Sequence, residues 1–108
     1  MHAFLISLLL LTQSTTDPRP QAPAPECLDA RTVTQMRQLS TSTLIVASDE
    51  RRFRIDVSGD CPEMASGSAL LAQHGWVCGQ PREFVQTQAR LCPIARVEEI
   101  SSRDYSQL

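Results

Sequence analysis

The chain has 108 residues, a formal net charge of −2, 42% hydrophobic residues and four cysteines. This length suits one small domain, and a charge so close to neutral argues against nucleic acid or an anionic membrane surface as a partner. Every cationic side chain is an arginine, and the chain has no lysine or asparagine. Both missing residues have codons rich in A and T, so the composition indicates a GC-rich bacterial genome.

Residues 3–11 form an apolar run that contains a single serine. A run of this length is typical of the hydrophobic core of a signal peptide and falls well short of the ~20 residues that span a bilayer. Thr12, Ser14 and Thr16 offer small residues for a cleavage site. We therefore predict a signal peptide over residues 1–16, export to the periplasm or the medium, and no transmembrane anchor after cleavage.

Proline marks the next segment. Residues 17–25 contain four prolines, and proline-rich chains favour the extended polyproline II conformation of a spacer. We predict a linker over residues 17–26 and a folded domain over residues 27–100. Residues 101–108 are polar and unpatterned, so we predict a flexible tail there.

Strand patterns dominate the folded domain. Polar and apolar residues alternate over 52–57, which predicts a half-buried strand with Phe53, Ile55 and Val57 inward. The run 43–47 is rich in β-branched residues, and 48–51 reads as the turn of a hairpin. Further strands are predicted over 68–73, 76–78, 83–87 and 92–98, with Trp76, Val85 and Ile94 in or near the core.

Two segments have an apolar residue at every third position: Val33, Met36 and Leu39, and Ile94, Val97 and Ile100. This spacing alone fits a helix better than a strand. Pro62 after Cys61 resembles a helix start, and Gly67 would end that helix early. The overall prediction is an all-β domain, a small barrel or rolled antiparallel sheet of five to seven short strands with one short helical turn after Cys61.

The four cysteines lie behind the predicted leader, a pattern typical of two disulfides in an oxidising compartment. None forms the close Cys-x-x-Cys pair of zinc sites and redox dithiols. Three pairings are possible, and the sequence does not choose among them. A nested arrangement, Cys27 with Cys92 and Cys61 with Cys78, would staple both the domain ends and the segment after Cys61, and we expect this one.

Few residues suggest chemistry. His74 is the only histidine after the predicted leader, and no neighbour in sequence makes it a general base. It precedes Trp76 in the segment 73–81, which we regard as a possible binding loop pinned by Cys78. We predict no catalytic residue, no cofactor and no metal site.

Arg51, Arg52 and Arg54 form a basic cluster that could bind a carboxylate or phosphate. Asp49, Glu50 and Asp56 stand nearby and would neutralise much of its field. We therefore expect a solvated, salt-bridged strand face.

The order of signals resembles a bacterial family of small exported proteins known only as a domain of unknown function. The resemblance rests on Cys27-Leu28, the hairpin 44–57, Cys61-Pro62-Glu63-Met64, Gly75-Trp76-Val77-Cys78 and Cys92-Pro93-Ile94. It covers roughly residues 27–100, with Met64 where the family has leucine and with an acidic position shifted to Glu83. The resemblance implies strands in the two segments of threefold spacing, and it implies no activity, cofactor or partner.

These features favour a non-enzymatic exported protein that binds a partner such as an envelope protein, or contributes structurally to the envelope. A small stapled domain on a proline-rich tether offers a rigid surface and exposed loops. The alternative is an inhibitor of an envelope hydrolase that uses the loop 73–81. A small hydrolase is a further alternative, for which Asp56, Asp60 and Glu63 are the available carboxylates.

Overall fold

The computed structural model describes residues 27–65 and 67–108. The predictions for residues 1–16 and 17–26 lie outside the described residues. The elements are β1 (Leu28–Asp29), a 3-10 helix (Ala30–Thr32), β2 (Val33–Ser40), β3 (Thr43–Ser48), β4 (Arg51–Val57), β5 (Ala69–Leu71), β6 (Trp76–Val77), β7 (Phe84–Gln86), β8 (Leu91–Ile100) and α1 (Ser102–Ser106).

Six strands form one curled, half-barrel sheet in the order β2-β3-β4-β8-β7-β5, and all neighbours are antiparallel. β1 and β6 pair separately as a two-stranded sheet. The all-β prediction is confirmed. The described residues contain eight strands rather than five to seven, because Leu28–Asp29 forms a strand that the sequence pattern does not indicate.

The hairpin of β3 and β4 is the best-predicted element. Its turn contains Asp49, whose φ of 56° is tolerated by aspartate better than by most residues. The register places Leu44 opposite Ile55 and Val46 opposite Phe53 on the inner face of the sheet. All four side chains are at most 1% exposed, so this hairpin supplies the centre of the core.

The predicted core residues are buried, apart from Trp76. Phe53, Ile55, Val57, Val85 and Ile94 belong to one apolar cluster, whereas Trp76 is half-buried. The cluster also contains side chains that the alternation pattern does not identify. These are Leu28, Leu44, Val46, Cys61, Met64, Val77, Cys92 and Val97.

The two segments with threefold apolar spacing are strands, so the helical interpretation of that spacing is wrong. In β8, Arg96 pairs with Asp56 and Ile94 pairs with Val57, which leaves Ala95 as an extra residue in the ladder. Such a bulge puts residues three apart on the same face, and Ile94 and Val97 are both buried.

β2 is irregular in the same way. Its pairing with β3 shifts between Val33 and Gln35 and again between Gln38 and Ser40. The first shift brings Val33 and Met36 onto the core together, and the second leaves Leu39 exposed. A threefold spacing therefore arises here from a strand with bulges.

The helical turn predicted after Cys61 is also wrong for the described residues. Pro62 and Glu63 form a turn, and Glu63 has a φ of 64° that a right-handed helix cannot contain. The side chain of Gln38 satisfies the backbone groups that a helix would have paired. Its Nε2 donates to the Cys61 carbonyl (3.2 Å), and its Oε1 accepts from the Met64 N–H (2.8 Å). Met64 is thereby held in the core with no exposed surface.

The segment predicted to be a flexible tail instead contains α1. Ser101 caps the helix by accepting a hydrogen bond from the Asp104 N–H at 2.9 Å. Tyr105 anchors it on the outer face of the sheet, where its hydroxyl donates to Gln35 (3.1 Å) and its ring lies near the guanidinium groups of Arg37 and Arg52. Tyr105 and the hydrogen bond from Arg37 to the Leu108 main-chain oxygen (3.1 Å) therefore hold this polar segment against the sheet.

Candidate functional site

The disulfides join Cys27 to Cys78 and Cys61 to Cys92. Two disulfides with no free cysteine agree with the prediction, but the nested pairing is wrong. The register of β1 and β6 gives the reason, since Leu28 lies opposite Val77 and the antiparallel ladder then brings Cys27 opposite Cys78. These crosslinks indicate a non-reducing compartment.

The Cys27–Cys78 disulfide closes the base of a loop, residues 72–78, which we call the Trp76 loop. Its turn is secured by a hydrogen bond from the Ala30 N–H to the Gly75 carbonyl (2.9 Å) and by β6 pairing with β1. Gly75 has a φ of 82°, and a β-carbon there would lie 3.3 Å from Arg31 Nε. The positive φ favours glycine at this position, whereas the exposed Arg31 side chain could shift to admit a β-carbon.

Arg31 links the 3-10 helix to the Trp76 loop. Its Nε donates to Asp29 Oδ1 at 2.9 Å and its Nη2 to Asp29 Oδ2 at 3.3 Å, a bidentate pair. The central carbon of the Arg31 guanidinium group, Cζ, lies 5.9 Å from the centre of the Trp76 ring, within the range of a cation–π contact. The hydrogen bond from Arg31 lowers the pKa of the Asp29 carboxyl below its usual value.

Trp76 therefore helps to hold the loop through its contact with Arg31, while part of its side chain stays exposed to solvent. It is half-buried, as is Gly75, while Gln73 and His74 are exposed at the turn. The two residues predicted as a possible binding loop, His74 and Trp76, thus lie in one anchored turn. Within the described residues, no hydrogen bond reaches the His74 imidazole.

Glu83 is the important residue that sequence reasoning did not recognise. It is only 6% exposed, and its Oε1 accepts hydrogen bonds from the backbone N–H groups of Cys78 (2.9 Å), Gly79 (2.6 Å) and Gln80 (3.0 Å). The positive φ of Gly79 lets consecutive N–H groups converge on one oxygen. The only signal in the sequence was the acidic position of the family resemblance.

Two of the three arginines of the basic cluster form salt bridges, as expected, whereas Arg52 donates to the backbone carbonyls of Asp49 (3.1 Å) and Arg51 (2.9 Å) instead. Arg54 pairs with Asp56 at 3.2 Å, and Arg51 pairs with Glu99 at 2.7 Å. Glu99 was not among the predicted partners, because it belongs to β8, a strand remote in sequence. The hydrogen bond from Arg51 lowers the pKa of Glu99.

The carboxylates considered for a hydrolase have separate partners. Asp56 accepts from Thr43 at 2.9 Å, and Asp60 accepts from Thr41 at 2.7 Å. Glu63 borders an open groove of about 340 Å³ that Gln88 also lines. No hydrogen bond joins any two of these carboxylates within the described residues.

The described residues contain no cluster of three or more histidine, cysteine, aspartate or glutamate side chains suited to hold a metal ion. They also contain no helix with the length and apolar character needed to cross a membrane.

Comparison with models of protein families, with curated proteins and with solved structures finds no match to this chain. The resemblance to a bacterial family of exported proteins therefore stays a prediction.

The lowered pKa values of Asp29 and Glu99 predict how stability changes in acid. A carboxyl with a lower pKa in the folded state stabilises the protein above its unfolded pKa of about 4, and this contribution is lost as pH falls through the folded pKa. We expect wild type to lose more stability than Asp29→Asn or Glu99→Gln between pH 6 and pH 3, as measured by urea unfolding. Parallel stability curves for all three proteins would contradict the assignment.

Proposed function

We propose that this protein is a non-enzymatic bacterial protein, exported to the periplasm or the medium, that binds an envelope protein through the Trp76 loop. The observation that carries the proposal is the anchoring of that loop on both sides while Gln73 and His74 stay exposed. A rigid loop loses little conformational entropy on binding, which favours recognition.

Three independent attachments support this rigidity. They are the Cys27–Cys78 disulfide, the backbone hydrogen bond from Ala30 to Gly75, and the contact between Arg31 and Trp76. Glu83 fixes the segment that follows the loop. The predicted signal peptide and proline-rich linker agree with a tethered module outside the cytoplasm.

The alternative partner is an envelope hydrolase that the loop inhibits. The Cys27–Cys78 disulfide holds the exposed turn of the Trp76 loop, and a turn held in this way suits insertion into an enzyme cleft. In this case the captured partner would be a hydrolase, and its turnover would fall on addition of the protein. The same loop residues would be needed for both effects.

Quantitative capture from an envelope extract tests the proposal. We expect His74→Ala and Gln73→Ala to reduce recovery of one partner at least tenfold, while Gln86→Ala, an exposed change on β7, leaves recovery unchanged. Trp76→Ala is informative only beside a stability measurement, because Trp76 contacts Arg31. Equal recovery by all variants would overturn the assignment of the loop.

A separate assay addresses catalysis. Turnover of a cell-wall or ester substrate that disappears in Asp56→Asn, Asp60→Asn or Glu63→Gln would overturn the non-enzymatic proposal. The stability of each variant must match wild type for that conclusion.

A further inference from the structure

The half-barrel sheet ends on an open edge at β2. The described backbone–backbone hydrogen bonds of β2 go to β3 alone, and the Ser40 carbonyl also accepts one from the Gln38 side chain (2.8 Å). Alternate residues of an antiparallel edge strand direct their N–H and C=O groups away from the sheet. Eight residues at about 3.4 Å each make an edge about 27 Å long.

This edge lacks some of the features that prevent strand addition, and its bulges lie on either side of a regular stretch. β2 contains no proline, no lysine and one charged residue, Arg37. Its two bulges flank a regular stretch, in which Gln35, Met36, Arg37 and Gln38 pair in unbroken register with β3. The opposite edge is β5, and its three residues offer much less backbone.

We propose that the β2 edge binds an extended acidic segment of another protein by strand addition. The regular stretch determines the side chains that such a segment needs. Met36 faces the core side of the sheet and is half-buried, so an apolar side chain would pack beside it. Arg37 lies on the outer face and is exposed, so a carboxylate would sit beside it.

Charge argues for another protein over a second copy of this chain. Arg37 donates a hydrogen bond to the main-chain oxygen of Leu108 (3.1 Å) and contacts the Tyr105 ring, and no Asp or Glu side chain of the described residues forms an ion pair with it. β2 itself contains no acidic residue. Pairing of two β2 strands therefore supplies no countercharge, and a register centred on Arg37 would oppose two guanidinium groups. An acidic strand supplies that charge.

Titration of the 15N-labelled, disulfide-bonded protein with a synthetic peptide tests the proposal. The probe is a heptapeptide that alternates valine and threonine and carries a glutamate at its centre. We expect shifts of the amide resonances of residues 35–38 and slower hydrogen exchange at alternate β2 amides. Glutamine in place of the glutamate is expected to weaken binding about threefold, the range of an exposed ion pair.

Matched controls separate backbone from side-chain binding. N-methylation of the amides on one edge of the peptide should weaken binding at least tenfold, and N-methylation on the other edge should not, because only one edge pairs with β2. Arg37→Gln should remove the preference for glutamate. Arg96→Gln, which changes an arginine paired with Glu98 on interior strand β8, should retain it.

Four results would overturn the proposal. They are shifts confined to residues outside β2, equal binding of both N-methylated peptides, a dimer in sedimentation that protects β2, and β2 amides that are fully protected before any peptide is added. Since the edge and the Trp76 loop are different surfaces, loss of binding at one leaves the other assignment intact.

Discussion

Removal of the Cys61–Cys92 disulfide by replacing both cysteines with alanine is expected to lower the free energy of unfolding by about 4 kcal/mol. The crosslink closes a loop of 31 residues, and the chain-entropy relation assigns roughly this value to a loop of that size. Both sulfur atoms also lie in the core, where Cys61 and Cys92 are at most 3% exposed. A small domain has about 5–15 kcal/mol in total, so the variant should be marginal at 37 °C.

Urea unfolding followed by Trp76 fluorescence measures this loss. A change below about 1 kcal/mol would mean that the crosslink adds no stability beyond local packing. The intact protein reduced with dithiothreitol is a second comparison, because it loses both disulfides without any change of side chain volume. It should be less stable than the double alanine variant.

Connectivity can be checked directly by peptide mapping without reduction. Trypsin leaves Cys61 and Cys78 in one peptide, because no arginine or lysine lies between Arg54 and Arg82. Additional cleavage after Met64 with cyanogen bromide separates them. We then expect the fragment with Cys61 joined to Cys92 and the fragment with Cys78 joined to Cys27.

The second large effect is expected from Glu83→Ala, at about 3 kcal/mol. This change leaves three backbone N–H groups without an acceptor in a site where the carboxyl is only 6% exposed. An unsatisfied buried donor costs about 1–3 kcal/mol. Because water partly reaches this loop, we take about 1 kcal/mol for each of the three N–H groups. For a domain of this size the melting temperature should fall by roughly 15 °C.

Glu83→Gln is the matched control, because glutamine keeps an oxygen that can accept the same hydrogen bonds. Its melting temperature should lie much closer to wild type. Hydrogen exchange at Cys78, Gly79 and Gln80 should be fast in Glu83→Ala and slow in the other two proteins. Equal stability of the alanine and glutamine variants would contradict the role of the oxygen.

Local patterns predicted the β3–β4 hairpin and its buried side chains well. Alternation at every second residue reports which face of a strand is buried, and a hairpin needs only a short turn to bring its strands together. The same rule failed for β2 and β8, where a bulge converts twofold spacing into threefold spacing. A bulge depends on the partner strand, so one strand's sequence does not reveal it.

The candidate site was predicted only in part. His74 and Trp76 lie in one anchored loop, but the residues that anchor it come from distant parts of the chain. Arg31 approaches Trp76 through the pairing of β1 with β6. Glu83 looks in sequence like the ordinary start of a strand, and its three hydrogen bonds exist only once residues 78–80 have turned toward it.

By itself, the sequence determined the all-β class, the β3–β4 hairpin, five of the thirteen residues of the core cluster and the number of disulfides. Those features depend on the periodicity of side chains and on cysteine count, which are local or compositional. The tertiary structure alone decided the disulfide pairing, the bulges, the docking of α1 and the three backbone hydrogen bonds that Glu83 accepts. Each of these depends on which distant backbone segments become neighbours. The free energy that stabilises one arrangement of segments over another comes from contacts across the whole sheet.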